Sequence, residues 1–208
     1  MQKNLSGIKI AVLVDNGFEQ VELTEPVKAL REANAIVEII APEKQIKGWN
    51  LKDWGDVITA DILLDEANPD HYDALILPGG VMNPDFLRIK KNAIEFVKTF
   101  MIAQKTVASI CHGPWTLIET GLIKGRKLTS YPSIKTDLIN AGVTWIDEPV
   151  VTDKNLITSR KPSDLPAFND RIINTLSALT PSSNDALNRP PVKGEKIEDI
   201  KSKDKVKK

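Results

Sequence analysis

The chain has 208 residues, enough for one large domain or two small ones with a core that needs no disulfide or metal to hold it. Its 28 Lys and Arg balance its 28 Asp and Glu, so the composition does not favour electrostatic binding of nucleic acid or of an anionic membrane. A single cysteine excludes an internal disulfide and a thiolate-rich zinc site. We therefore expect small or neutral partners, no nucleic acid and no membrane.

The two ends of the chain differ from its middle. The N-terminus has no basic segment followed by a long apolar run, so we expect neither a signal peptide nor a membrane span, and a cytoplasmic protein. After Thr180 the sequence is rich in Pro, Ser, Lys and Asp and poor in apolar residues. This change predicts a single folded domain over residues 1–180 and a disordered, Lys/Pro-rich tail over residues 181–208.

Residues 1–180 alternate short β-branched runs with segments of helical periodicity, which is typical of parallel strands joined by crossover helices. In chain order the predicted elements are a strand at Ile8–Val14, a helix at Val21–Ala33, strands at Ile36–Ala41 and Asp73–Leu77, a helix at Asn92–Gln104, a strand at Thr106–Ile110, a helix at Trp115–Thr120, strands at Thr144–Ile146, Val150–Thr152 and Leu156–Ser159, and a helix at Leu165–Leu179. This order predicts a doubly wound α/β domain with a mostly parallel sheet. Ligands of such sheets bind outside the carboxyl ends of the strands.

The central predicted strand at Thr106–Ile110 leads directly into Cys111 and then into a helix. A nucleophile on such a sharp turn needs small residues two positions before and after it, and Ser109 and Gly113 meet this requirement. The helix would also aim its first N–H groups at the thiolate, which lowers the pKa of a thiol. The alternative is a cysteine packed under the helix as a small apolar residue. The position of Cys111 at a strand end and its small neighbours favour the role of nucleophile over that of a packed apolar residue.

A cysteine nucleophile needs a proton acceptor and donors for a developing oxyanion. His112 is adjacent, whereas His71 lies in a polar stretch that predicts a solvated turn. The third strand ends in a Pro-Gly-Gly sequence, and the N–H of Gly80 could act with that of His112 as an oxyanion donor. Alternatively, these glycines merely turn the chain.

Glu19 follows the first strand and should lie at the same edge of the sheet as Cys111. It could protonate the thiolate or act as a general acid or base, or it could simply complement the dipole of the helix that follows. Trp49 and Trp54 are unusual in a polar segment, where they could form a pocket wall, an oligomer contact or a lid over the core. Trp115 is expected to pack its helix.

Four motifs then occur in a specific order, at Phe18–Leu23, Leu77–Gly80, Ala108–Pro114 and Thr129–Pro132. Together they resemble the PfpI family of the DJ-1/PfpI superfamily, with its class I glutamine amidotransferase-like fold. The resemblance covers roughly residues 7–179. It implies a flavodoxin-like sandwich of helices around the sheet, and neither a metal nor an organic cofactor.

The resemblance also implies roles for particular residues. Cys111 would be the nucleophile, Glu19 the carboxylate hydrogen-bonded to it, and the N–H groups of Gly80 and His112 the oxyanion hole. In PfpI-type members an acidic residue after the Pro-Gly-Gly turn reaches the histidine of a neighbouring subunit, and Asp85 matches it by position. This implies self-association as a dimer or higher homo-oligomer. Otherwise Asp85 would only open a short helix.

For activity, the resemblance implies a cysteine-dependent stress-protection enzyme of the glyoxalase III or deglycase type. Its substrate would be a small aldehyde, such as methylglyoxal, or a glycated molecule. One alternative is an intracellular cysteine peptidase of the PfpI type with its site at a subunit interface. Another is a non-enzymatic redox sensor or chaperone in which Cys111 is oxidised to a sulfinic acid.

Overall fold

The computed structural model describes residues 3–179, so the predicted tail at 181–208 lies outside the described residues. In chain order the strands are β1 (Lys9–Leu13), β2 (Ile36–Ala41), β3 (Gln45–Asn50), β4 (Asp53–Thr59), β5 (Ile62–Leu63), β6 (Ala74–Leu77), β7 (Thr106–Ile110), β8 (Lys127–Leu128), β9 (Thr144–Trp145), β10 (Val150–Asp153) and β11 (Leu156–Ser159). The helices are α1 (Gln20–Glu32), α2 (Met82–Arg88), α3 (Lys91–Ile102), α4 (Pro114–Ile118), α5 (Lys135–Asn140) and α6 (Leu165–Ser177).

The main sheet has seven strands in the order β10-β11-β7-β6-β1-β2-β5. Its neighbouring strands are parallel except for β10 and β11. The predicted flavodoxin-like, mostly parallel sheet between layers of helices is therefore confirmed. Because β1, β6 and β7 are adjacent, the loops at their carboxyl ends meet at one edge of the sheet.

Both faces of the sheet are buried. Ile10 and Val12 of β1 pack on the side covered by α1 and α6, where Phe168 is fully buried. Ala11 and Leu13 point to the opposite side, which is covered by α3. This burial on both faces explains why the strands form continuous apolar runs that the sequence reveals.

The hairpin of β3 and β4 was not predicted, because its segment was interpreted as a polar loop. Most residues of β4 are exposed, so apolar alternation is weak. At the turn, Leu51 has a φ of 59°, a conformation that Gly or Asn usually adopts. Because a leucine stands there instead, the sequence contains no recognisable hairpin turn. Within residues 3–179, none of the helices is long and apolar enough to cross a membrane.

Candidate active site

Cys111 lies at the carboxyl end of β7, and its side chain lines a cavity at the sheet edge. Its φ of 61° is in the left-handed region, which costs a non-glycine residue about 1–2 kcal/mol. The N–H of Cys111 donates to the Ser159 carbonyl at 3.0 Å, and its carbonyl accepts from the Tyr131 N–H at 2.9 Å. Hydrogen bonds to the backbone on both sides therefore hold Cys111 in this strained conformation. A strained residue persists only where the surrounding structure fixes it in this way.

The turn depends on the small residues on either side of Cys111. A Cβ at Gly113 would lie 2.6 Å from both the Leu77 carbonyl oxygen and the Ser109 Oγ. Gly113 itself has an ordinary helical φ of −48°, so lack of space and not backbone conformation requires glycine here. The expected need for small residues at positions 109 and 113 follows from this close approach.

Replacing Gly113 with alanine is expected to lower the free energy of unfolding by about 1–3 kcal/mol, because the new Cβ would overlap the Leu77 carbonyl of β6. Denaturation in urea measures this loss, and iodoacetamide measures the reactivity of Cys111. Gly121→Ala is the control, since a Cβ there meets nothing within 4 Å and adds only the strain of a φ of 71°. Thiol reactivity that stays unchanged in Gly113→Ala would contradict the expected disturbance of the turn.

The carboxyl group next to the thiol belongs to Glu22, in the first turn of α1. Glu22 is fully buried, and its Oε2 accepts a hydrogen bond from the Gly79 N–H at 2.9 Å. Its Oε1 is buried with no hydrogen-bond partner among the described residues. The Cys111 thiol acts on the Glu22 carboxyl as a neighbouring hydrogen-bonding group. Glycine at position 79 leaves room for both groups, because a Cβ there would lie 2.5 Å from Glu22 Oε2 and 2.6 Å from Cys111 Cβ.

The expectation that Glu19 is hydrogen-bonded to Cys111 is therefore corrected to Glu22. Glu19 occupies the N-cap position of α1 and lines the cavity, where the Leu51 N–H bonds its carboxylate. Burial raises the pKa of Glu19, and the Leu51 bond acts in the opposite direction. Glu19 thus lies at the wall of the cavity and Glu22 at the thiol.

Burial also determines the protonation of Glu22. It raises the pKa of Glu22 to about 8, although the bonds from the Cys111 thiol and the Gly79 N–H act in the opposite direction. The negative charge of Glu19 raises this pKa further. Glu22 therefore keeps its proton at neutral pH and can donate it in a hydrogen bond to sulfur.

The thiol does not show the net lowering of pKa expected from the helix that follows it. Burial raises the pKa of Cys111, and the charge of an ionised Glu22 raises it further. The N–H groups of Gly80 and His112 point to the sulfur and act in the opposite direction. Because a protonated Glu22 has no charge to repel a thiolate, the thiol ionises more readily while Glu22 holds its proton.

His112 has partners at both ring nitrogens. Its Nδ1 lies 3.2 Å from Cys111 Sγ, and its Nε2 lies 3.0 Å from Ser133 Oγ. The ring of Tyr131 stacks on it, with centroids 5.0 Å apart and an angle of 24°. Burial lowers the pKa of His112, so the imidazole is neutral at neutral pH and can accept a proton from the thiol.

The cavity around these groups has a volume of about 570 Å³, within the usual range for small-molecule sites. Trp49, Val81 and Met82 provide apolar wall, and Gly80 brings its backbone to the same space. Trp49 and Trp54 pair across the hairpin as an edge-to-face contact with centroids 5.6 Å apart. Of the alternatives for these tryptophans, the structure places Trp49 in the pocket wall.

The remaining predicted residues lie elsewhere. Asp85 is exposed on α2, and no hydrogen bond joins it to His112 within residues 3–179, so its action across a subunit interface stays a prediction. His71 is exposed in a short 3-10 helix, consistent with the expected solvated turn. Trp115 packs partly buried against the core, with its ring 5.4 Å from that of His112. Within the described chain, no group of three or more His, Cys, Asp or Glu residues could hold a metal ion.

Comparison with known proteins shows that a model of the DJ-1/PfpI family matches residues 8–175. The chain belongs to the DJ-1/PfpI family. It is 44% identical over 165 residues to Deglycase PfpI of Pyrococcus furiosus, covering 77% of this chain and 95% of that protein. It is 43% identical over 175 residues to Protein/nucleic acid deglycase 2 of Escherichia coli, covering 82% and 98%. The crystal structure of Drosophila melanogaster DJ-1beta matches with a TM-score of 0.75 at 28% identity, over 82% of this chain and 90% of that one.

Two residues of the site were not predicted as participants. Glu22 lies on the face of α1 that also buries Pro26 and Leu30, so a carboxylate on an otherwise apolar stripe was the available signal. Ser133 comes from a separate segment, and no sequence pattern links it to His112. Its contact with the imidazole depends on the tertiary structure.

Proposed function

We propose that this protein is a cysteine-dependent enzyme that converts small reactive aldehydes, such as methylglyoxal, into hydroxy acids. The observation that supports this most directly is the contact of one strained cysteine with a buried, protonated carboxyl group and a neutral histidine. Cys111, Glu22 and His112 meet at a cavity of small-molecule size. Two of the relatives are named deglycases, which supports an enzymatic role for this site.

The reaction begins with addition of the Cys111 sulfur to the aldehyde carbon. A C–S bond forms, the C=O π bond breaks, and the carbonyl oxygen takes a proton from Glu22 or from the histidine that received the thiol proton. The N–H groups of Gly80 and His112 lie at the sulfur. In this proposal they stabilise the oxyanion that develops on the carbon bound to it. The product of this step is a hemithioacetal.

The second part moves hydrogen between two carbons of the same substrate. A base, His112 or ionised Glu22, removes the proton from the carbon bound to sulfur, and the resulting enediol is protonated at the neighbouring carbon. The first carbon is oxidised to a thioester and the second is reduced to a carbinol, so no external oxidant is needed. Water then cleaves the thioester, which releases lactate and restores the thiol.

The test is conversion of methylglyoxal to lactate without glutathione, followed by NMR, with hydrolysis of a fluorogenic peptide measured in parallel. We expect lactate to form in proportion to the methylglyoxal consumed, with the thiol recovered after turnover. Loss of methylglyoxal without lactate would indicate simple adduct formation and overturn the proposal. Peptidase activity stays a separate prediction, which the peptide assay tests.

The oxidation-sensor alternative makes a different prediction for the same cysteine. Selective oxidation of Cys111 by mild peroxide without aldehyde turnover would favour sensing over catalysis, and mass spectrometry distinguishes the two. The buried, protonated Glu22 beside the thiol is compatible with either role. Lactate formation is therefore the deciding measurement.

A further inference from the structure

The imidazole of His112 is fixed from several directions by this chain alone. Its Nδ1 faces the Cys111 sulfur at 3.2 Å and its Nε2 faces the Ser133 hydroxyl at 3.0 Å. Tyr131 stacks on one side of the ring, and Trp115 meets it edge to face at 5.4 Å. The ring therefore has little freedom to rotate, and each nitrogen has a defined partner.

The position of Ser133 is set by the same turn that carries the nucleophile. The Tyr131 N–H donates to the Cys111 carbonyl at 2.9 Å, which ties the start of the Ser133 segment to the cysteine backbone. Ile134, immediately after Ser133, is buried in the core and anchors the other side. Between these two attachments a short 3-10 helix, Pro132–Ile134, presents the serine to the cavity.

The contacts of His112 determine which neutral form of the imidazole can accept a proton from the Cys111 thiol. A neutral imidazole has one N–H and one lone pair, and only a lone pair on Nδ1 can take the proton of the Cys111 thiol. That state requires the proton on Nε2, where Ser133 Oγ can accept a hydrogen bond. A hydroxyl fits this purpose without adding a charge to the site.

We propose that Ser133 is a positioning residue, which accepts a hydrogen bond from His112 Nε2–H and so keeps the Nδ1 lone pair directed at the Cys111 thiol. The inference concerns how the proposed function is performed, and rests on it for the catalytic part of its test. It gives the chain an orienting group of its own for the imidazole. Asp85 of a neighbouring copy, if it reaches His112, would have to share Nε2 with Ser133.

The charged groups around the ring are consistent with a neutral orienting partner. The titratable groups that line the cavity with His112 are Cys111, Glu22, Glu19 and Tyr131, whose ring stacks on the imidazole. On the side of α5, Asp137 accepts a hydrogen bond from the Trp115 indole N–H at 2.7 Å. No carboxylate of the described chain forms a hydrogen bond with the ring.

The test compares Ser133→Ala, Ser133→Thr and Thr136→Ala. Thr136 is exposed on α5 three positions away, so its variant removes a hydroxyl from the same region without touching His112. The first readout is the rate of Cys111 alkylation by iodoacetamide between about pH 6 and 8, which needs no substrate. The second is kcat/KM for methylglyoxal over the same pH range.

For Ser133→Ala we expect alkylation about tenfold slower near neutral pH and an altered pH profile of both readouts, with an unchanged thermal midpoint. Ser133→Thr, which retains the hydroxyl, should restore both to near the wild-type values, and Thr136→Ala should match wild type. A wild-type pH profile in Ser133→Ala, or failure of Ser133→Thr to restore reactivity, would overturn the inference. If wild type forms no lactate but Ser133→Ala still slows alkylation, the proposed function fails and the positioning role stands.

Discussion

Replacing Cys111 with alanine is expected to reduce lactate formation from methylglyoxal by at least about 10³-fold, because the sulfur that forms the covalent intermediate is gone. The fold should persist, since the side chain is small and the backbone bonds to Ser159 and Tyr131 do not involve the sulfur. Lactate assays and thermal denaturation of the same preparations measure the two effects. Lactate formation at the wild-type rate would exclude Cys111 as the nucleophile.

A glycine at the same position tests the strain that accompanies the nucleophile. Because Cys111 has a φ of 61°, Cys111→Ala keeps the left-handed strain whereas Cys111→Gly relieves it. We expect Cys111→Gly to be as inactive as Cys111→Ala but at least as stable, despite the greater flexibility of glycine in the unfolded chain. A markedly less stable glycine variant would mean that the turn stores little strain.

The architecture was predictable because burial on both faces leaves a local record in the sequence. Strands β2, β7 and β11 have the bounds that their β-branched runs predicted, at Ile36–Ala41, Thr106–Ile110 and Leu156–Ser159. The hairpin of β3 and β4 shows no such apolar pattern in the sequence, because β4 is largely exposed and the turn contains a leucine in place of Gly or Asn. Patterns that arise from the core were thus informative, and those of the surface were not.

The site was predictable only in the parts that directly follow the ends of strands β6 and β7. Cys111 and His112 lie where the strand-to-helix junction placed them, and the N–H groups of Gly80 and His112 point to the sulfur. The carboxyl group was assigned to Glu19 because that residue follows the first strand, whereas Glu22 lay inside the predicted helix and was given no role. With α1 starting at Gln20, Glu19 stays at the cap and Glu22 turns inward.

The Ser133 contact was beyond sequence reasoning for a different reason. It joins two residues that are 21 positions apart in the sequence. The segment that carries Ser133 is held near His112 because the Tyr131 N–H donates a hydrogen bond to the Cys111 carbonyl. Neither a serine in a polar segment nor a tyrosine before a proline predicts such a bond. Contacts made by connecting segments depend on the assembled fold, so they are visible only in the structure.

Replacing Glu22 with glutamine is expected to reduce kcat/KM for methylglyoxal by about 10²-fold, because the amide keeps a donor near sulfur but cannot exchange a proton. Glu19→Gln should have a smaller effect, since Glu19 lies at the cavity wall and not at the thiol. Steady-state kinetics of both variants measures the difference. A greater loss in Glu19→Gln would return the catalytic carboxyl to Glu19.

The pH dependence of thiol reactivity gives an independent result for the same pair. Below about pH 8 the protonated Glu22 donates to the thiolate, whereas above that pH its charge raises the pKa of Cys111. Alkylation of wild type should therefore rise less steeply above about pH 8 than alkylation of Glu22→Gln, whose amide stays neutral. Identical profiles would show that Glu22 does not titrate next to the thiol.

The free energy of unfolding should also depend on pH, in a direction that the raised pKa of Glu22 determines. Between its ordinary value of 4.5 and about 8, folded Glu22 holds a proton that the unfolded chain releases, so the free energy of unfolding falls as pH rises through this window. The total decline from this group is at most about 5 kcal/mol, since each unit of pKa difference corresponds to about 1.4 kcal/mol. Glu22→Gln has no such proton, and urea denaturation at several pH values should show a flatter dependence. An equal decline in the variant would mean that another group binds the proton, and the catalytic pairing of Glu22 with Cys111 would lose its electrostatic basis.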